Sequence, residues 1–239
     1  MPLLGSAGVG SARGYRPPKL DIVTQNLVVN LDAGNRSSYT GSGTTWSDIS
    51  GSSNNCVFSS TPTFNQAGDK SWFTFDGAAN NGTITYNGTL NFSSSQTLMM
   101  VMRHTYTSGR RNPWNQAYGG AGTWTHEQGE TISQYFGNAG VDGNPYIGIG
   151  SAATPRSAWY CIAATRDPSQ HIWYFNGVPG TVTPNPYGVL AATTTNITIG
   201  NGYAGFWQGD MAIVLAYTRA LSAAEVFTNF EAIRTRFAM

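Results

Sequence analysis

The hydrophobic period of this chain changes once. From Leu20 to Tyr217 apolar residues come in short runs, alternating or continuous, broken by Gly, Asn, Asp, Ser and Pro. From Ser222 onward they recur every three or four residues. Val226, Phe230, Ile233 and Phe237 fall at steps of four, three and four and so share one helix face. A period of two belongs to strands and a period near 3.6 to helices. Layers of mixed helix and sheet need far more helix than this one element. The pattern predicts an all-β antiparallel jelly roll, two sheets packed face to face, with a helix over 222–236.

That helix has a definite start. Ser222 and Glu225 form an S-x-x-E capping box, in which each side chain satisfies the other residue's free backbone N–H. A single capped amphipathic helix after the last strand reads as a lid on an end or seam of the β core. The strands ahead of it are legible in "LVVNLDA" (27–33), "SWFTFDG" (71–77), "TLMMVMRH" (97–104), "NITIGNG" (196–202) and "MAIVLAY" (211–217). The clearest hairpin is "WYCIAATRDPSQHIWYFNGVPG" (159–180), with "NG" marking its second turn. Residues 105–158 carry a looser pattern, read as short strands with long loops.

Residues 1–20 stand apart from the jelly-roll domain expected over 21–239. They contain Arg13, Arg16 and Lys19, no acidic residue, four glycines and the stiff pair Pro17-Pro18. No strand or helix period runs through them, so they are expected to form an extended arm that lies along a neighbouring subunit, with Arg13, Tyr15, Arg16 and Lys19 as its contacts. "GSAGVG" (5–10) imitates a phosphate loop, but no strand precedes it and no Gly-Lys-Ser/Thr follows. The net charge of +1 offers no case for nucleic acid or anionic membrane as a partner. The longest apolar runs are strand-length, too short to span a bilayer as a helix. Cys56 and Cys161 read as two buried free thiols, because two cysteines make no disulfide framework.

"NITIGNG…FWQGDMAIVLAYTRALSAAEV" resembles the C-terminal signature of the concanavalin A-like, laminin-G-like jelly rolls, and the central hairpin ending in "YFNG" is similar to theirs. "LDAGN" (31–35), "WSDISG" (46–51) and "FDGA" (75–78) resemble the N-terminal half of that group, so the likeness covers about 27–230. A jelly roll behind a short Gly/Arg arm also looks like the virion proteins of tailed phages. That resemblance implies a non-enzymatic structural protein, a capsid decoration, neck or fibre component. Such a protein would be made in the host cytoplasm, joined to other virion proteins through residues 1–20, and homo-oligomeric, with a trimer among the forms expected. The alternative is a lectin or adhesin module that recognises host surface polysaccharide.

The superfamily includes glucanases, whose strand motif implies two carboxylates about 5 Å apart in distinct roles. The nearest match, "HEQGE" with Glu127 and Glu130, lacks the central Asp, and its odd spacing would place the carboxylates on opposite faces of a strand. It reads as a polar loop. His104, His126 and His171 lie far apart and beside no nucleophile pattern, so no catalytic residue is assigned. For a glycan surface, "NPWNQAYGGAGTWTHE" and "NGYAGFWQGD" offer aromatics beside Asn and Asp, and Trp114, Tyr118, Trp124, Tyr203 and Trp207 are the expected contacts. Asp32, Asp48, Asp76 and Asp210 near turns are the candidate calcium ligands. No D-x-D-x-D spacing supports them, and Asp beside Gly is a turn residue in its own right. The expected state is therefore without a cofactor.

Overall fold

A computed structural model describes residues 21–116, 122–127, 130–136, 147–190 and 192–239, with 147–152 described for backbone alone. The arm 1–20, and with it Arg13, Tyr15, Arg16 and Lys19, lies outside the described residues, as does Tyr118.

Sixteen strands, numbered along the chain, form two eight-stranded sheets among the described residues. The first sheet contains β1 (Leu27–Asp32), β4 (Thr63–Ala67), β5 (Lys70–Asp76), β7 (Gln96–His104), β12 (Tyr160–Arg166), β13 (Gln170–Phe175), β14 (Val178–Pro184) and β16 (Gln208–Tyr217). Its order is β14-β13-β12-β7-β16-β5-β4. Along one edge β16 pairs with β7. Along the other it pairs first with β5 and then with β1, the change falling at Ala212, where a register shift interrupts the β7 ladder. The second sheet contains β2 (Thr45–Trp46), β3 (Cys56–Ser60), β6 (Asn81–Ile84), β8 (Arg111–Asn115), β9 (Thr123–Glu127), β10 (Thr131–Phe136), β11 (Ile147–Ala153) and β15 (Ile197–Ile199). Its order is β11-β10-β9-β8-β15-β6-β3-β2. Every ladder between named strands is antiparallel. The looser stretch 105–158 thus supplies four strands of the second sheet.

The expected hairpin is present. Asp167 accepts the backbone N–H groups of Ser169 and Gln170 to close the β12–β13 turn. Asn176 and Gly177 take φ of 48° and 76° between β13 and β14, the left-handed pair that an Asn-Gly turn supplies at little cost. A Cβ at Gly177 would also stand 2.8 Å from the Phe230 ring, so this turn is pressed against the helix.

Helix α1 (Ala223–Arg234) starts where the capping box placed it. The Ser222 hydroxyl accepts the Glu225 N–H and the Glu225 carboxylate accepts the Ser222 N–H. Arg219 adds a bidentate pair to Glu225 at 2.6 and 2.9 Å and, together with the Ser222 N–H, holds that carboxyl down near about 2. Val226, Phe230, Ile233 and Phe237 are all buried. They pack on the outer face of the first sheet, against Met99, Val101, Ala163, Ile213 and Leu215. The helix is therefore a third layer on the outer face of the first sheet, over its central strands, rather than a lid on an end or seam.

The larger apolar cluster lies between the sheets and includes Trp46, Trp114, Trp124, Trp207, Phe58, Phe73 and Phe75. Cys56 belongs to this cluster and Cys161 to the one under the helix, so the first sheet separates the two free thiols. Burial pushes both thiols well above the usual range.

Candidate functional site

With α1 over the first sheet, no α-helix among the described residues covers the outer face of the second. Register defines what it displays. Thr45 pairs with Val57, Val57 with Thr83, Thr83 with Thr198, Thr198 with Asn115, Asn115 with Thr123, and Thr123 with Tyr135. Directly paired residues point to the same face, so one row crosses seven strands, with hydroxyl, amide or phenol groups on six of them and the exposed, apolar Val57 on the seventh. All are exposed or half-buried except Thr123, whose hydroxyl donates to Asn115 Oδ1 at 2.6 Å.

The row ends at an aromatic and charged cluster. Arg110 donates a fork to Glu127 (Nε to Oε2 2.7 Å, Nη2 to Oε1 3.0 Å). Tyr135 donates its hydroxyl to the same Oε1 at 2.7 Å. The Arg110 guanidinium lies 5.7 Å from the Tyr135 ring centroid and 5.6 Å from that of Tyr203, and also donates to the Tyr203 hydroxyl at 3.1 Å. Glu127 hydrogen bonding raises the Arg110 pKa, and burial raises that of Tyr135. The Arg110–Glu127 pair is braced by two phenols, Tyr135 on the carboxylate and Tyr203 on the guanidinium. Tyr203 is 49% exposed, so much of its ring faces solvent.

Beneath this cluster lies a buried polar layer between the sheets. His104 and His126 stack with ring centroids 4.2 Å apart. Thr154 Oγ1 donates to the Glu130 carbonyl and so accepts from His126 Nε2–H at 2.6 Å, which leaves His126 Nδ1 to accept the Tyr106 hydroxyl. Loss of hydration holds His126 at about 3 and His104 at about 4, and the two rings disfavour charge on His126 further. Both are neutral at pH 7. They are packing and hydrogen-bonding groups in this layer.

Of the expected glycan contacts among the described residues, Tyr203 alone stands at this surface. Trp114, Trp124 and Trp207 are 0% exposed and belong to the core between the sheets. Trp114 pairs directly with Trp124, so both indoles point inward together, and no indole face is left for a sugar. Arg110, Glu127 and Tyr135 were not expected as glycan contacts. Tyr135 had a signal: in "TISQYF" it shares parity with Thr131 and Ser133, opposite Ile132 and Phe136.

Glu127 and Glu130 do not sit on opposite faces of one strand. Glu127 ends β9, Glu130 takes φ 67° before β10, and both border one small hollow with His104, His126 and Arg156. The chain reverses there, so strand parity does not apply. Each carboxylate is held by an arginine, Glu127 by Arg110 and Glu130 by Arg156 at 2.8 Å.

The four aspartates are scattered and occupied internally. Asp32 holds Arg236 through both oxygens at 2.6 and 2.8 Å. Asp48 accepts the backbone N–H groups of Asn30, Ser50 and Asn54. Asp76 caps its turn through the N–H groups of Ala79, Ala78 and Asn80, which lower its pKa. Asp210 accepts from Thr74 and Arg103. Among the described residues no three His, Cys, Asp or Glu side chains are grouped to hold a metal ion. No helix among them is long and apolar enough to cross a membrane.

Known proteins place this architecture. The binding domain of botulinum neurotoxin serotype D superposes with a TM-score of 0.69 at 9% identity, covering 88% of this chain and 53% of that one. The binding domain of Paraclostridial Mosquitocidal Protein 1 gives 0.65 at 15% identity, covering 86% and 52%. A Trypanosoma rangeli sialidase gives 0.60 at 13% identity, covering 90% of this chain and 34% of the enzyme. The chain thus spans about half the length of those two binding domains and a third of the sialidase. At these identities the likeness is one of fold. No curated protein matches the sequence. A laminin-G-like family profile, described as the concanavalin A-like lectin/glucanases superfamily, does match, over residues 76–227. The chain is a member of that laminin-G-like family.

Proposed function

We propose that this protein is a non-enzymatic carbohydrate-binding module whose glycan surface is the outer face of the second sheet, centred on Tyr203. The observation that carries this reading is the half-exposed Tyr203 ring, fixed by Arg110 beside Glu127 and Tyr135 at the end of a polar cross-strand row. A pyranose ring has an apolar C–H face and a rim of hydroxyls. An exposed aromatic face with immobilised donors and acceptors beside it meets both requirements. Arg110 and Glu127 are already ordered against each other, which lowers the entropy cost of presenting them to a ligand.

Retaining hydrolysis needs one carboxyl kept protonated as acid and another free as nucleophile. Glu127 and Glu130 are instead each occupied by an arginine, Arg110 and Arg156, so neither stands as an unpaired nucleophile. The binding domains among the structural neighbours support a recognition role at the level of fold. In this reading the module is displayed on a virion component, made in the host cytoplasm and attached through the basic, acid-free residues 1–20, with the open sheet face turned towards host surface polysaccharide.

The test is a glycan array with the purified protein, followed by calorimetry on any hit. Binding that disappears in Tyr203→Ala and Arg110→Ala, with an unchanged melting temperature, is expected. Glycan binding that survives both changes would move the site elsewhere, and no binding across the array would return the protein to a purely structural role.

A further inference from the structure

A second pocket lies on the opposite side of the molecule, between α1 and the outer face of the first sheet. Its volume is about 230 Å³. At about 30 Å³ per water that is roughly eight waters, room for one long side chain but less than a cofactor-sized cleft of about 300 Å³ or more. The floor is apolar, made by Ile49, Ile213, Leu215 and Ile233. The polar groups are Asp21, Asn30, Asn35 and the Asp32–Arg236 pair.

Two of those groups lack partners. Asn30 is only 9% exposed, yet its side-chain amide makes no hydrogen bond, while its backbone N–H goes to Asp48 and its carbonyl to Ile49. On β1 it pairs with Leu215, as Asp32 pairs with Ile213, which places both polar residues on the pocket face. Asp21 is exposed at the lip and carries no ion pair or hydrogen bond among the described residues. The lip itself is anchored. Asn229 on α1 accepts the Val23 N–H at 2.7 Å, and Tyr217 donates to the Val23 carbonyl at 2.8 Å. Asp32 is neutralised by Arg236, so the free carboxylate of Asp21 leaves the pocket with a net negative charge.

An apolar floor, the Asn30 amide facing the pocket without a protein partner among the described residues, and a free carboxylate at the mouth suit an alkyl chain ending in a cation. We propose that this pocket receives a lysine or arginine side chain from residues 1–20 of a second copy of the chain. The methylenes would lie on the isoleucines, while Asn30 and Asp21 take hydrogen bonds from the charged head. Charge complementarity selects the occupant, because residues 1–20 contain Arg13, Arg16 and Lys19 and no acid. The segment joins the described chain at Asp21 itself, and Pro17-Pro18 stiffens its departure, which favours delivery to a neighbour over folding back. The inference rests on the reading of residues 1–20 as an assembly arm and is independent of the glycan surface.

The chain has two lysines, Lys19 and Lys70, so a zero-length carbodiimide that joins amines to carboxylates gives a readable map. Full-length protein, unlabelled and nitrogen-15-labelled copies mixed, is cross-linked as wild type and as Arg13→Lys and Arg16→Lys variants. The expected product is a mixed light–heavy link between position 13, 16 or 19 and Asp21. The second readout is sedimentation velocity, in which self-association weakens by about tenfold or more in Asp21→Asn, as for loss of a charge-assisted contact. Asp21 is exposed, so that variant is expected to fold normally. Links confined to a single copy, links directed to carboxylates outside the pocket, or self-association unchanged in Asp21→Asn would each overturn the proposal. Glycan binding measured on the same samples keeps a failure here distinct from a failure of the glycan reading.

Discussion

The two sheets have equal strand counts and opposite surroundings. In the first, β7, β12 and β16 are buried along almost their whole length, by the second sheet on one side and α1 on the other. In the second, β6 and β10 alternate between buried and half-buried positions. A sheet covered on both faces has only its edges to offer a partner, whereas a sheet covered on one face presents a broad, pre-ordered row of side chains. Two-sided burial is thus concentrated in the central strands of the first sheet, and the proposed glycan surface lies on the second. The sharpest tests break one without the other.

The largest effect should come from the seam joining the sheets. His126 on β9 hydrogen bonds to Thr154, His171 on β13 reaches Gln134 of β10 at 2.9 Å, and His104 on β7 stacks on His126. Burial holds these rings at about 3, 3 and 4. Unfolded histidine binds its proton near 6.5, so between that value and the folded pKa the unfolded state carries more protons. Stability present at neutral pH must therefore fall as pH drops through 6.5. Each ring contributes about 1.4 kcal/mol per pH unit at full slope, or about 5 kcal/mol for three rings between pH 7 and 5. Buried Arg166 adds to the effect at His171, since its cation opposes a second charge there. Urea unfolding at pH 7, 6 and 5 measures it; a free energy independent of pH would show that these rings become charged inside the fold.

Next comes the covered sheet. Phe230→Ala should cost about 3–5 kcal/mol, because the ring fills the layer between α1 and the sheet beside Gly177. Ser222→Ala should cost about 1 kcal/mol through loss of the N-cap hydroxyl bond to Glu225. Arg219 still braces the Glu225 carboxylate, which keeps this second value small. Denaturant midpoints for the two variants order them, and equal losses would mean that the helix is held by its cap more than by its face.

This contrast also explains what could be read from the sequence. A strand buried on both faces is a continuous apolar run, and "TLMMVM" and "MAIVLAY" identify themselves without knowledge of their partners. The helix is equally legible, since a capping box and a four-three-four spacing are local. The site is not local. "TWTHE" alternates cleanly, but alternation cannot say which parity faces the core, and reading this stretch as loop-rich let its tryptophans stand as surface contacts. The pairing of Trp114 with Trp124 settles the parity, and it depends on register across two strands. Arg110 and Tyr203 are separated by 93 positions, so nothing in either segment announces their hydrogen bond.

The smallest expected change in stability carries the most information about function. Tyr203 is half exposed and lies outside the apolar clusters, so Tyr203→Ala removes little buried area and should shift the unfolding free energy by about 0.5 kcal/mol or less. Glycan affinity should nevertheless fall by about 1–3 kcal/mol, roughly tenfold to a hundredfold, if its ring is the stacking face. Tyr203→Phe separates the two parts of that role. It keeps the face and loses the hydroxyl that accepts from Arg110, so it should retain most of the affinity if stacking dominates. If Tyr203→Phe is as damaging as Tyr203→Ala while stability is unchanged, the hydroxyl and its hold on Arg110 matter more than the ring. The recognition chemistry would then centre on the Arg110–Glu127 pair, and Tyr135→Phe should reproduce the loss by removing the phenol that donates to Glu127.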